Sequence, residues 1–486
     1  LGDVYKRQRL YGASKDLSFN SLWYNLNGGA IESLTSNFSQ WTMMSYVGRI
    51  NYGLMDRYLL TASLRYDGSS RLSEGNKWAL FPSAAIAWRI TEEDFAKNLD
   101  WLSNLKLRFS YGQAGNTNSV SPYASEGTIS GSVYYPFGTS TSVGNLPANI
   151  ANPMLTWERT SEYNVGLDFG FLNQRISGNI EYYNRTTNDL LMKRNIPVHL
   201  GYSSVTSNVG SVRNSGFELQ LNTANIMTKN FAWNTTINLA YNKNEIVSLA
   251  DEEDLSNYSI HLKGMRGRYS DKRFIGKPVD TNWTQNTIGV WQLGEEEEAA
   301  KYGCVPGNFK IKDYNNDGKL TDDDYIIDGK RTPDWTGGMT NMFKIYDFDF
   351  SFHMYFQAGA TQYDRFFENF ALEWNSQNFN NLRTNYWTPE NPSNTMGRPS
   401  QMGSRGNIAY ERTDFLKVSY ITLGYTLNKR LMSKWGLDNA RIYVTVQNPF
   451  ILTKFRGLDP EQPDLTNIGD TDGMTMNALL GVNISF

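Results

Sequence analysis

The chain has 486 residues, a formal net charge of −3 and 20% charged residues, with a sequence pI of about 5.8 and a mean hydropathy of −0.51. That balance gives no case for nucleic-acid binding, which usually shows a basic excess. No run of about 18 apolar residues occurs, so no transmembrane helix is expected, and the single cysteine, Cys304, excludes an internal disulfide or a cysteine metal cluster.

The distinctive entries are 29 Tyr, 25 Phe and 13 Trp beside 41 Gly and only 15 Pro. Many aromatics with many glycines suit strands joined by turns. The sequence opens at Leu1 without a signal peptide, so an N-terminal part is expected to be missing. The run 1–9 fits nothing that follows and reads as a remnant of cloning or assembly; 1–44 as a whole reads as a poorly matched start, that remnant and then strand and loop.

From residue 45 onward the main signal is period-two alternation, which puts successive side chains on opposite faces of a strand. Tyr58, Leu60, Ala62, Leu64 and Tyr66 share one face; Leu59, Thr61, Ser63, Arg65 and Asp67 share the other. Leu105, Leu107, Phe109 and Tyr111 alternate with Lys106, Arg108 and Ser110. Trp233, Ile237, Leu239 and Tyr241 oppose Asn234, Thr236, Asn238 and Asn242. Phe348, Phe350, Phe352, Met354 and Phe356 interleave with Asp349, Ser351, His353 and Gln357. The chain closes on Leu480, Val482, Ile484 and Phe486, alternating with Gly481, Asn483 and Ser485.

There are roughly 15 such segments of about 9–13 residues, the length a tilted strand needs to cross a bilayer. Tight turns at 171–174 and 345–347 alternate with long polar connections at 113–153, 248–336 and 358–412. Short turns at one end and long loops at the other mark an antiparallel up-and-down membrane β-barrel. A soluble all-β protein would alternate too, but seldom tolerates such loops in one domain. Its hidden faces would also not carry Arg, Asp, Asn and Gln on nearly every strand. Trp78 with Phe81, Trp88, Trp101 and Trp233 sit near strand ends, where interface girdles form.

Specific wording then adds a resemblance. The stretch VGRINYGLMDRYLLTASLRYDGSSRLSEGNKWALFPSAAIAWR (47–89) resembles the SusC/RagA family of TonB-linked outer-membrane transporters. So do LKLRFSYGQAGN (105–116), NPMLTWERTSEYNVGLDFGF (152–171), GSVRNSGFELQLN (210–222), PDWTGGMTNMFKIYDFDFSFHMYFQAG (333–359) and DFLKVSYITLGYTL (414–427). The resemblance covers nearly everything after about Ser45. It implies an all-β barrel of roughly 22 strands, of which residues 45–486 supply the later ones, without the N-terminal plug and TonB box. It implies an outer-membrane address in a Bacteroidetes-type bacterium and a SusD-like lipoprotein lid. The TonB–ExbB–ExbD complex would supply energy for import of a bulky oligosaccharide or peptide. An incomplete wall has a free sheet edge, which is costly in hydrocarbon, so a C-shaped or imperfectly closed sheet is expected. The other reading kept open is a surface glycan-binding β-rich protein without transport. Phe486 resembles the terminal residue of strands read by outer-membrane assembly machinery, and equally an ordinary last strand.

One sharp chemical motif stands in the 248–336 loop: DYNNDGKLTDDD, 313–324. Asp313, Asn315 and Asp317 take positions 1, 3 and 5 of an EF-hand-type loop, Gly318 the turn, Lys319 a backbone carbonyl at 7 and Asp324 position 12. Hard oxygens so spaced can wrap Ca²⁺; an Asx-rich solvated turn is the other reading. The resemblance places such an acidic loop outside the barrel. Glu295 to Glu298 suit the start of a solvated helix.

His199, His261 and His353 are far apart, and no nucleophile elbow, P-loop or dinucleotide fingerprint occurs. The expectation is therefore no enzyme. Trp283, Trp291, Trp374 and Trp387 could stack on sugar rings or pack a loop core, since aromatics serve both.

Overall fold

The computed structural model describes residues 2–15, 30–196, 202, 204–372, 384–399, 404–428, 432, 436–462 and 475–485. Fourteen strands form one sheet, close to the number expected. In chain order they are β1 (Gly2–Lys15), β2 (Ala30–Leu54), β3 (Tyr58–Ser69), β4 (Trp78–Arg89) and β5 (Leu102–Asn116). There follow β6 (Glu158–Phe171), β7 (Ile176–Asn188), β8 (Ser211–Met227), β9 (Phe231–Ser248) and β10 (Trp335–Ile345). The last are β11 (Phe348–Ala358), β12 (Phe415–Thr426), β13 (Asn439–Thr453) and β14 (Asn477–Ser485). Each pairs antiparallel with the next, and among the described residues β1 and β14 do not pair with each other. The wall is open, as expected.

The connections sort by end. Residues 55–57, 172–175, 228–230 and 346–347 make tight turns at one end, several with left-handed residues such as Leu172, Asn173 and Gln174. Residues 117–157, 249–334 and 359–414 are the long connections, all at the other end. Such asymmetry is the up-and-down pattern of membrane barrels.

The opening run 1–9 falls mostly within β1, which pairs with β2 from Gly2↔Met44 to Lys15↔Ala30. That register covers only the loop-side part of β2. Its turn-side part, 45–54, pairs with β3 alone among the described residues. An uncovered edge at membrane depth leaves backbone groups unpaired at several kcal/mol each.

Alternation resolves into two faces. Leu60 (43% exposed), Ile86 (55%) and Ile180 (46%) lie on one side, left bare by the described residues. Contiguous exposed apolar surface of this kind belongs against lipid. Aromatics band both of its ends. At the turn end Trp101 stacks on Phe171 (5.8 Å) and Trp233 on Phe343 (5.6 Å). At the loop end Tyr66 stacks on Trp78 (4.9 Å) and Tyr241 meets Trp335 (4.9 Å). Phe81 departs from the expectation. It points to the opposite face and is buried edge-on against Trp157 at 5.5 Å, with Leu72, Val120 and Leu155 around it. Its odd-numbered place in β4 puts it out of phase with Trp78 and Trp88, so it anchors loops instead of joining a girdle. Among the described residues no helix is long and apolar enough to cross a membrane.

Candidate functional site

The polar face forms two broad depressions. One, of about 710 Å³, is lined by Arg49, Ser63, Ser110, Glu162, Arg185 and Asn214 among others. The other, of about 430 Å³, includes Glu181, Glu218, Gln220, Asn238 and His353. His353, which the alternation assigns to the polar face, shares a hydrogen bond with Thr340 Oγ1 through Nδ1 at 2.8 Å and stacks on Tyr420 at 5.7 Å.

Charged groups on this wall neutralise one another across strands. Asp168 takes Lys106 Nζ on Oδ2 and Arg108 Nη2 on Oδ1, both at 2.7 Å. Arg108 Nη2 also lies 2.7 Å from Glu181 Oε1, and Asn164 donates to Glu181 Oε2 at 3.1 Å. The register explains the reach: Arg108 pairs with Gly166, and Gly166 pairs with Glu181. A guanidinium on β5 therefore crosses bare backbone on β6 to meet a carboxylate on β7. The same construction recurs twice. Tyr183 Oη donates to Asn242 Oδ1 at 3.0 Å over Gly216, and Arg441 Nε donates to Asp349 Oδ1 at 2.8 Å over Gly424. Paired charges lying flat on the wall leave an aqueous, hydrogen-bonding surface of low net charge.

The long connections carry their own cores. Val290, Phe309, Phe367, Trp387 and Met396 cluster in one; Leu255, Leu262, Phe274 and the half-buried Trp283 in another. Trp291 is buried with Ala299 and Cys304, and Trp387 donates from Nε1 to Gln292 Oε1 at 3.0 Å. These three tryptophans thus serve loop packing, while Trp374, His199 and Phe486 lie outside the described residues. Glu295 precedes a short helix, α1 (Glu296–Lys301), with its acidic residues at the N-terminal turn.

In the acidic loop, Asp313 is buried and accepts from three donors: Asn316 N (2.6 Å), Gly318 N (3.0 Å) and Tyr302 Oη (3.1 Å). Burial pushes its carboxyl up, but the Gly318 amide and these other donors outweigh that and hold it below the ordinary range. Asp324, fully buried, accepts from Tyr314 N (2.8 Å) and Thr321 N (2.9 Å), closing the loop from position 12 onto position 2. Gly318 takes φ +78°. Asn315, Asp317 and Lys319 are exposed, with Asn315 Nδ2 donating to Asp317 Oδ2 at 3.2 Å and Lys319 N to Asp317 Oδ1 at 2.8 Å. Each carboxylate oxygen that accepts one bond keeps a further lone pair. Even so, among the described residues no three His, Cys, Asp or Glu side chains converge on a metal position. The loop brings Asp313 and Asp324 to its inside and leaves Asp317 outside.

The sequence reading did not single out the wall network, because its partners come from three strands whose register no local pattern fixes. Only the alternation of Lys106, Arg108 and Ser110 hinted at it.

A family model described as TonB-dependent receptor-like β-barrel matches residues 2–448. The chain belongs to that family. The match begins inside the opening run that the sequence set apart. The TonB-dependent receptor SusC of Bacteroides thetaiotaomicron is 35% identical over 457 residues, covering 92% of this chain and 44% of that protein. The TonB-dependent receptor P26 of Formosa agariphila is 33% identical over 471 residues, covering 93% and 47%. The RagAB peptide transporter structure superposes with a TM-score of 0.80 at 23% identity, covering 100% of this chain and 52% of that one. At that identity the likeness is one of fold. The chain spans about half the length of these relatives. It is SusC/RagA-like, with the outer membrane as its place, where strands rather than helices cross the bilayer.

Proposed function

We propose that this chain is the wall and outer-loop portion of a receptor importing a bulky oligosaccharide or peptide across the outer membrane, energised through TonB–ExbB–ExbD and shared with a SusD-like lipoprotein. The observation that carries the reading is the two-faced wall: apolar residues bare on one side, and the paired Lys106–Asp168–Arg108–Glu181 group on the other. A lumen of internally neutralised charge lets a large polar solute slide without being held. The RagAB structure, described as a peptide transporter, supports a peptide, and the oligosaccharide is what the SusC/RagA resemblance of the sequence implies. Deleting the gene should abolish growth on one polymeric nutrient, and a complementing copy should restore it. The protein should also resist carbonate extraction and leave membranes only in detergent. Release by carbonate would instead indicate a surface glycan-binding protein without transport.

We also propose that the 313–324 loop takes Ca²⁺ through Asp313, Asn315, Asp317, the Lys319 carbonyl and Asp324, with Asp317 turning inward. The buried Asp313 and the left-handed Gly318 support this. The bound ion would tie the loop together electrostatically, ordering the outer surface where cargo arrives. Calcium titration of the purified receptor and of Asp317→Ala tests it; identical titrations would end the idea.

A further inference from the structure

Among the arginines on or near the polar face, Arg71 combines burial with the lack of a carboxylate partner; Arg49 also makes no ion pair among the described residues but is exposed. Arg65 is paired with Asp67, Arg108 with Asp168 and Glu181, and Arg185 with Glu162. Arg71, in the connection from β3 to β4, is only 9% exposed and makes no ion pair among the described residues. Its Nη1 donates to Thr117 O at 2.9 Å, while its Nε–H is buried without an acceptor among the described residues. The guanidinium lies over the Trp41 ring, 3.9 Å from the centroid, and Tyr5 covers the other face of that ring at 4.1 Å. Burial acts on this group with no carboxylate to offset it. A cation–π contact and one carbonyl compensate only part of the cost of removing a guanidinium from water.

The position matters as much as the missing partner. Trp41 is in phase along β2 with Ser45 and Arg49, and Arg49 lines the larger depression. Thr117 begins the 117–157 connection. Arg71 therefore stands at the seam between polar wall and outer loops, where a solute would leave the loops and enter the lumen.

We propose that Arg71 is a docking point for an anionic oxygen group, a carboxylate or sulfate, carried by the cargo. The inference rests on the import reading and narrows the cargo to acidic glycans or acidic peptides. The planar guanidinium presents parallel N–H donors that suit two oxygens of one anion. The group's charge would complete what Thr117 and Trp41 leave undone.

The test uses the full-length receptor purified in detergent, with acetate, sulfate or chloride at constant ionic strength. Ligands that bind only the folded state raise the melting temperature. The wild type should gain a few degrees in acetate or sulfate over chloride. Arg71→Gln should lose that gain, and Arg71→Lys should retain part of it. Heat-modifiable migration on gels confirms that each variant is folded before comparison. An equal gain in Arg71→Gln would place the anion elsewhere and overturn the proposal. No gain in the wild type would also overturn it, because the guanidinium would then have its partner within the receptor. Gene deletion reports separately on import: a nutrient defect without an anion response leaves import standing and removes only the Arg71 site.

Discussion

Arg108 reaches Glu181 over a residue that has no side chain. A Cβ on Gly166 would stand 2.9 Å from Arg108 Nη2, closer than real carbon contacts allow. Gly166→Val should lift the guanidinium off the wall, break its bond to Glu181 and push charge into the lumen. Overpacking of this kind costs about 1–3 kcal/mol, so the barrel should still assemble and run as a heat-modifiable band. Uptake should fall several-fold, whereas Gly48→Ala, which meets nothing within 4 Å, should leave it unchanged.

The two faces of β3 should respond oppositely to charge. Leu60 is 43% exposed on the apolar face, and its neighbour Thr61 lines the polar depression. Leu60→Arg should cost about 2–4 kcal/mol if it sits near the bilayer midplane and sharply reduce the folded receptor in outer membranes. Thr61→Arg should assemble nearly as well as the parent. Equal loss from both would show that this face does not meet lipid.

Asp364 gives the outer loops a pH dependence of definite sign. It is fully buried; Oδ1 accepts from Phe367 N at 2.9 Å and Oδ2 has no partner among the described residues. Burial pushes its carboxyl up to about 6, above the unfolded value of about 3.9. Its contribution to stability is therefore complete below the unfolded value and lost as pH rises through about 6. Asp364→Asn keeps the acceptor for Phe367 and removes the charge. It should stabilise the 359–414 connection at pH 8 on the order of 2 kcal/mol, read as slower protease cleavage, with no difference at pH 4.

Asp313 carries the opposite sign. Its folded value lies below the usual range, so what it contributes is present above the unfolded value of about 3.9 and lost as pH falls through the folded one. Acidification should loosen the 313–324 loop, seen as faster amide exchange at Asn316 and Gly318. Asp313→Asn should weaken those same amides at neutral pH without altering the wall.

The amino-acid sequence by itself determined the class of fold. Phe348, Phe350 and Phe352 against Asp349, Ser351 and His353 settle a strand and its two faces, because the side-chain period of a strand is two. Turn and loop lengths then decide which ends lie together. What only the tertiary structure decided is which residues meet. Arg108, Gly166 and Glu181 share a row because the register of three strands aligns them, and register is a property of pairing rather than of any one strand. The outer loops are harder still. Trp291 and Trp387 look as ready for a sugar as for a core, and their burial follows from contacts between segments about a hundred residues apart. Local pattern is fixed by covalent geometry and repeats at short range. Partner choice is fixed by which distant segments packing brings together.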